Sequence, residues 1–182
     1  MRFATLGLAV LKPNKKRMSN KNAVVLLSGG LDSAVATALL KTSGYTIKGG
    51  VFVDRGQSNA GQEAVAAEKV AKYFGIKLLR ANFSLPNLGE LLTKEIRQKL
   101  GIPARNLILA TLALPYCRIF DCNTLALGNI TEDFRPDCDK EFRKQLSQLA
   151  TKTLDFPIDV IAPLADWMRL DKSQEIQWAH SV

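Results

Sequence analysis

Four apolar residues, Val24-Val25-Leu26-Leu27, stop at Ser28-Gly29-Gly30, and a second apolar series (Ala34, Val35, Ala36, Ala38, Leu39, Leu40) follows. The first run predicts a buried strand and the second a helix, with Asp32 and Ser33 as its starting residues and Gly44 just past its end. Tyr45–Asp54 reads as a second strand. Gln62–Phe74 then carries Ala67, Val70, Ala71 and Phe74 on one face, as an amphipathic helix closed by Gly75. Lys77–Asn82 predicts a third strand, and Phe83–Asn87 a polar connection to one helix over Leu88–Leu100, stopped by Gly101. Arg105–Phe120 is apolar enough for a buried helix, with a kink or local break at Pro115. Thr124–Leu127 and Val160–Ile161 supply two further strands around a helix from about Asp137 to Thr151. A last helix is expected from Asp171, with Gln174 at capping-box spacing.

Strands alternating with helices predict an α/β fold: a Rossmann-like, mainly parallel sheet with right-handed crossovers and helices on both faces. Ligands of such sheets sit beyond the carboxyl ends of the strands. Three stretches fall there, Ser28–Ser33, Asp54–Gln57 and Gly128–Asp137.

A chain of 182 residues with 47% hydrophobic and 23% charged positions fits one globular domain. The formal charge of +8 suggests nucleic acid until its distribution is considered. Residues 1–22 hold six basic side chains (Arg2, Lys12, Lys15, Lys16, Arg17, Lys21) and no acidic one. The remainder carries 19 basic against 17 acidic residues, so direct nucleic-acid binding is not expected of the body. Residues 1–21 read as a poorly ordered basic extension and 22–182 as the domain. Either Met18 is the natural start, with 1–17 an extension or cloning remnant, or the segment is a genuine basic arm. Phe3–Leu11 lacks the order of features of a signal peptide, and no apolar stretch reaches membrane-spanning length. Three cysteines (Cys117, Cys122, Cys138) are too few for a disulfide framework and fit a reducing cytoplasm.

A strand, a glycine turn and a helix start aim several main-chain N–H groups at one point, which makes an anion site. The hydroxyls of Ser28 and Ser33 can add bonds to phosphate oxygens. No lysine lies in this turn, so the Walker pattern is excluded, and the spacing is not G-x-G-x-x-G. The bland alternative is a glycine-rich βα turn that closes a Rossmann-like unit without a ligand. After the second strand, Phe52 or Val53 can pack an adenine face while Asp54 and Gln57 contact polar groups, or the segment is a capped strand end. Arg105 and Asn106 stand at a helix start, where an arginine fork suits phosphate or carboxylate. Gly128–Cys138 gathers three carboxylates (Glu132, Asp133, Asp137), an arginine and a thiol. They suit Mg²⁺ or the N–H edge of a heterocycle, Glu132 reading instead as a solvated side chain.

Ser28-Gly29-Gly30-Leu31-Asp32-Ser33 resembles the pyrophosphate loop of the N-type ATP pyrophosphatases. With Asp54-Arg55-Gly56-Gln57, Pro103-Ala104-Arg105-Asn106 and Arg135-Pro136-Asp137-Cys138-Asp139-Lys140-Glu141-Phe142 added in register, the chain resembles the 7-cyano-7-deazaguanine synthase family from about Ala23 to Ile176. The resemblance implies an adenine nucleotide alpha hydrolase-like fold and an ATP-dependent ligase of queuosine precursor synthesis. Such an enzyme converts 7-carboxy-7-deazaguanine and ammonia to the nitrile through adenylated intermediates. It implies ATP with Mg²⁺, structural zinc, and association into a homodimer. By position, Leu27, Ser28, Gly29, Gly30, Leu31, Asp32, Ser33, Phe52, Asp54 and Gln57 would hold the nucleotide. Arg105, Asn106, Asn129, Asp133 and Asp137 would hold the acid, and Ser28, Asp32, Ser33 and Arg105 would serve the chemistry. Cys138 would pack rather than attack.

Two departures stand out. Arg55 occupies a place where the family usually has tyrosine, and the family's four C-terminal zinc-binding cysteines have no counterpart after Cys138. Cys117, Cys122 and His180 make no tetrahedral site, His180 reading as a terminal surface residue. Truncation and a natural zinc-free form remain open, as do two other functions: an ATP pyrophosphatase with another substrate, and a degenerate ATP-binding regulatory subunit.

Overall fold

The computed structural model describes residues 21–85, 87–100, 102–168 and 172–179. The basic extension up to residue 20, Gly101, Asp171 and His180 lie outside them. Five strands, β1 (Asn22–Leu26), β2 (Thr46–Asp54), β3 (Leu78–Asn82), β4 (Thr124–Ala126) and β5 (Asp159–Ile161), form one sheet in the order β3-β2-β1-β4-β5. Every pairing is parallel. β1 lies centrally, with Val24 opposite both Gly49 and Leu125 and with Ala23, Val24 and Val25 fully buried. A strand covered on both faces needs a continuous apolar run, and that is what residues 23–27 supply.

Successive β1 residues serve opposite cores. Val25 and Leu27 pack with α1 (Leu31–Thr42) and α2 (Ala60–Phe74), while Val24 packs with α5 (Arg105–Ile119) and α6 (Lys140–Leu154). The chain leaves β1 toward β2 on one side and returns to β4 on the other. The gap between the ends of β1 and β4 is therefore the topological switch point, where open α/β sheets bind ligands.

Four local expectations are corrected. The helix expected over 88–100 is two pieces, α3 (Leu88–Leu91) and α4 (Lys94–Leu100), because the Thr93 hydroxyl accepts the Ile96 N–H (3.2 Å) and starts a new helix. Pro115 does not break α5. It sits on the exposed face, as does Thr111, whose carbonyl it deprives of a partner. Nor is α5 buried all round, since Leu107 and Ile119 are exposed. The helix expected from Asp137 starts at Lys140, with Asp139 Oδ1 accepting the Phe142 N–H (2.6 Å) as its cap; Pro136–Cys138 forms a separate 3₁₀ turn. A π-helical turn at Leu164–Met168 precedes α7 (Lys172–Ala179). No described helix is long and apolar enough to cross a membrane.

Candidate functional site

A cavity of about 280 Å³ opens at the switch point. β1 and the start of α1 contribute Leu26, Leu27, Ser28, Asp32 and Ser33; the end of β2 contributes Val51, Phe52, Val53 and Arg55. Arg105, Asn106 and Leu109 of α5 form another wall, and Leu127, Gly128, Asn129, Asp133 and Arg135 follow β4. Glu63 of α2 completes it.

The glycine loop is built by close approach. Gly29 has φ +80°, and a Cβ there would lie 2.5 Å from Ala67 N and 2.7 Å from Glu63 O on α2. Only glycine lets this turn lie on that helix. A Cβ on Gly128 would stand 3.1 Å from Ser33 N, so the β4 end is held against the first turn of α1. No side chain caps α1 at Gly30, which leaves its first N–H groups available to an anion. The two loop hydroxyls bond locally: Ser28 Oγ accepts from Gly30 N (3.3 Å) and meets Ser33 Oγ (3.2 Å), which donates to Gly30 O (2.9 Å).

The turn after β2 is stiffened by its own side chains. Asp54 Oδ1 accepts the Gly56 N–H (2.8 Å) and Gln57 Oε1 the Arg55 N–H (2.8 Å). Neither Asp54 nor Gln57 belongs to the cavity wall; together they present Arg55 to it. Gln57 Nε2 donates to Glu63 Oε2 (2.6 Å), and Arg55 Nη2 lies 3.8 Å from the same oxygen.

On the opposite side, Asp137 Oδ2 accepts the backbone N–H of Asn106 (2.7 Å). Asn106 Nδ2 donates to Asp137 O (3.2 Å) and Cys138 Sγ (2.9 Å), and Asn129 Nδ2 donates to Asp133 Oδ2 (3.2 Å) and Cys138 Sγ (3.4 Å). Cys138 is thus a buried acceptor, and its burial, with Asp133 nearby, raises its pKa. That suits a packed thiol, not a thiolate. Arg143, 4% exposed, donates to Cys138 O and pairs with Asp166, whose Oδ2 accepts the Ala162 N–H (2.9 Å). The Pro136–Cys138 turn is thereby tied to the segment after β5.

Burial lowers the Arg105 pKa, and the neighbouring charges of Arg135 and Arg55 lower it further. Three guanidinium groups therefore face one another at the cavity, Arg105 Nε being buried without a partner. Of the residues expected at the site, Leu27, Ser28, Asp32, Ser33, Phe52, Arg105, Asn106, Asn129 and Asp133 line the cavity. Gly29 and Gly30 shape the loop beneath it, Leu31 points outward at 38% exposure, and Asp137 caps α5. Sequence reasoning missed Glu63, counted Arg135 only within the stretch after β4, and left Arg55 open between the pocket and an outward position; the structure puts all three in the wall. The lone arginine of Glu132-Asp133-Phe134-Arg135 was a usable signal, whereas nothing local marks Glu63.

No group of three or more His, Cys, Asp or Glu among the described residues could hold a metal ion. Among the described residues zinc finds no donor set, and burial holds the Cys117 thiol up at about 12 and the Cys122 thiol at about 11. Asp32, Glu63 and Asp133 are the carboxylates in the cavity wall, the oxygen donors from which Mg²⁺ could draw.

The family model for queuosine biosynthesis protein QueC matches residues 22–182. A 7-cyano-7-deazaguanine synthase from Prochlorococcus marinus (strain MIT 9312) is 34% identical, over 89% of this chain and 80% of that protein. One from Coxiella burnetii (strain RSA 331 / Henzerling II) is 31% identical, over 89% and 78%. Among solved structures, a predicted subunit of tRNA methyltransferase from Methanocaldococcus jannaschii superposes with TM-score 0.60 at 22% identity, covering 87% of this chain and 74% of that one. The U34-tRNA thiolase NcsA from Methanococcus maripaludis gives TM-score 0.59 at 19% identity, covering 93% and 60%. These structural likenesses show the fold.

Proposed function

The chain belongs to the QueC family of queuosine biosynthesis proteins, and from that premise we propose that it is an ATP-dependent ligase making 7-cyano-7-deazaguanine. Its substrates are 7-carboxy-7-deazaguanine and ammonia, and its compartment is the cytoplasm, in keeping with three free cysteines. One observation carries the reading: the uncapped N-terminus of α1 and the half-buried Arg105 lie in opposite walls of one cavity.

In this reading the β- and γ-phosphates lie on the Ser28–Ser33 turn, where main-chain N–H groups and the helix dipole neutralise them. Phe52 or Val53, on opposite faces of β2, packs the adenine. A carboxylate oxygen of the acid attacks the α-phosphorus, the bond from that phosphorus to the bridging oxygen breaks, and pyrophosphate leaves with the electron pair. Ammonia then attacks the acyl carbon, loses a proton, and displaces AMP to give the amide. A second ATP adenylates the amide oxygen; loss of AMP and two protons gives the nitrile. The protein's part is alignment plus neutralisation of charge, for which the loop and Arg105 suffice without a nucleophilic side chain. Asn106, Asn129 and Asp133 orient the heterocycle.

The test is release of AMP and pyrophosphate with and without 7-carboxy-7-deazaguanine. Acid-dependent release of both is expected. ATP binding with no acid-dependent AMP would overturn this reading and favour a nucleotide-binding subunit.

A further inference from the structure

Arg55, Arg105 and Arg135 reach the cavity from three separate elements, the turn after β2, the first turn of α5 and the loop after β4. Each guanidinium carries five N–H donors. The described contacts use few of them. Arg55 Nη2 approaches Glu63 no closer than 3.8 Å, Arg135 bonds the Cys138 side chain and Asp133 Oδ1 (3.4 Å), and Arg105 Nε is buried without a partner.

The two carboxylates do not require these arginines. Glu63 already accepts from Gln57 Nε2 (2.6 Å) and Asn59 Nδ2 (2.9 Å). Asp133 accepts from Asn129 Nδ2 and the Ile130 N–H, both at 3.2 Å. Neutral donors anchor both side chains, which hold their guanidinium groups loosely at the cavity edge. Three guanidinium groups share this wall with Asp32, Glu63 and Asp133, and the donors those carboxylates leave unused suit an anion in the space between them.

We propose that Arg55, Arg105 and Arg135 form an oxyanion subsite distinct from the main-chain cradle at the α1 N-terminus, and that Arg55 contacts the substrate there. The inference rests on the ligase reading, in which a carboxylate must meet an α-phosphate despite mutual repulsion. The cradle takes the departing diphosphate. The arginines take the oxyanion at the reacting junction, whether it is the carboxylate of the acid or the α-phosphate of the nucleotide.

Calorimetric titration of Arg55→Gln with ATP and, separately, with 7-carboxy-7-deazaguanine tests this. Binding of one ligand weakens about tenfold or more while the other stays within about twofold, the size expected for one lost charge-assisted contact. Loss on the acid identifies the carboxylate; loss on ATP identifies the α-phosphate. Arg55→Lys restores part of the lost affinity, and both variants melt at the wild-type temperature. Wild-type affinity of Arg55→Gln for both ligands overturns the proposal. So does an equal loss in Glu63→Gln, which would make Arg55 only a partner for Glu63. Failure of the ligase reading shows separately, as absence of acid-dependent AMP from the wild type. If the wild type binds no acid, the ATP titration alone decides on the subsite.

Discussion

Asp137 Oδ2 accepts the backbone N–H of Asn106 at 2.7 Å, so a residue 31 positions downstream caps the helix that carries Arg105. Ala104, at the helix start with φ +54°, offers no side-chain cap of its own. The same bond fixes the direction in which α5 enters the cavity, linking capping to the site.

Replacing Asp137 by alanine removes that cap and lowers stability by about 1–2 kcal/mol in urea unfolding. Asp137→Asn keeps an acceptor and recovers most of the loss. If Asp137 instead held the heterocycle alone, Asp137→Ala would leave the unfolding curve in place and change only substrate affinity.

Gly29 and Gly128 separate packing from positioning. Gly29→Ala drives a Cβ into the α2 backbone and strains a left-handed residue, so it costs about 3 kcal/mol or more and lowers the melting temperature sharply. A Cβ at Gly128 meets Ser33 and the Asp32 carbonyl carbon at 3.1–3.3 Å. Gly128→Ala therefore shifts the first turn of α1 and weakens nucleotide binding more than it destabilises the fold. Comparing melting curves with ATP titrations of the two variants checks the distinction.

The strand-turn-helix unit from Ala23 to Leu40 was legible because each part carries its own signal within a few residues. The parallel sheet followed from the alternation of elements alone. Less legible were features set by distant partners. The Arg143–Asp166 pair joins residues 23 apart and fixes the π-helical turn, which has no local pattern. Arg55 reaches the cavity only because Asp54 and Gln57 fold the turn back on itself. Asp137 looked like a ligand-facing carboxylate; its role as a cap depends on where α5 lies in space.

The pair of buried Arg143 with partly exposed Asp166 gives a third prediction. Arg143→Ala leaves Asp166 with the Ala162 N–H and takes the donor from the Cys138 carbonyl, and costs about 2–3 kcal/mol by urea unfolding. In Arg143→Met with Asp166→Leu the uncompensated charge is gone, and the loss is smaller than for Arg143→Ala. Additive losses in this cycle would show that the pair is not coupled.

Alkaline pH should destabilise the protein through its thiols. Cys117 and Cys122 are held at about 12 and about 11, above the ordinary 9.0. Above pH ~9 the unfolded chain loses these protons while the folded chain keeps them, so stability falls as pH rises toward the folded values. Each thiol contributes a slope of up to about 1.4 kcal/mol per pH unit. Between pH 9 and 10.5, Cys117→Ala shows a shallower decline than the wild type in denaturant titrations. Parallel curves would contradict the assignment.

Arg105 sets function against stability. Its guanidinium is half-buried, faces two like charges and leaves Nε without a bond. Removing such a charge relieves repulsion, so Arg105→Gln is expected to unfold no more easily than the wild type and to gain about 0.5–1 kcal/mol. On the proposed ligase reading the same change removes the planar fork that meets the reacting oxyanion, and acid-dependent AMP release should fall about 10²-fold or more. Lysine keeps the charge but not the fork, so Arg105→Lys recovers little of the rate. Paired urea curves and AMP assays decide the matter, for a variant that lost stability and rate together would mark Arg105 as a structural residue and move the chemistry to another wall of the cavity.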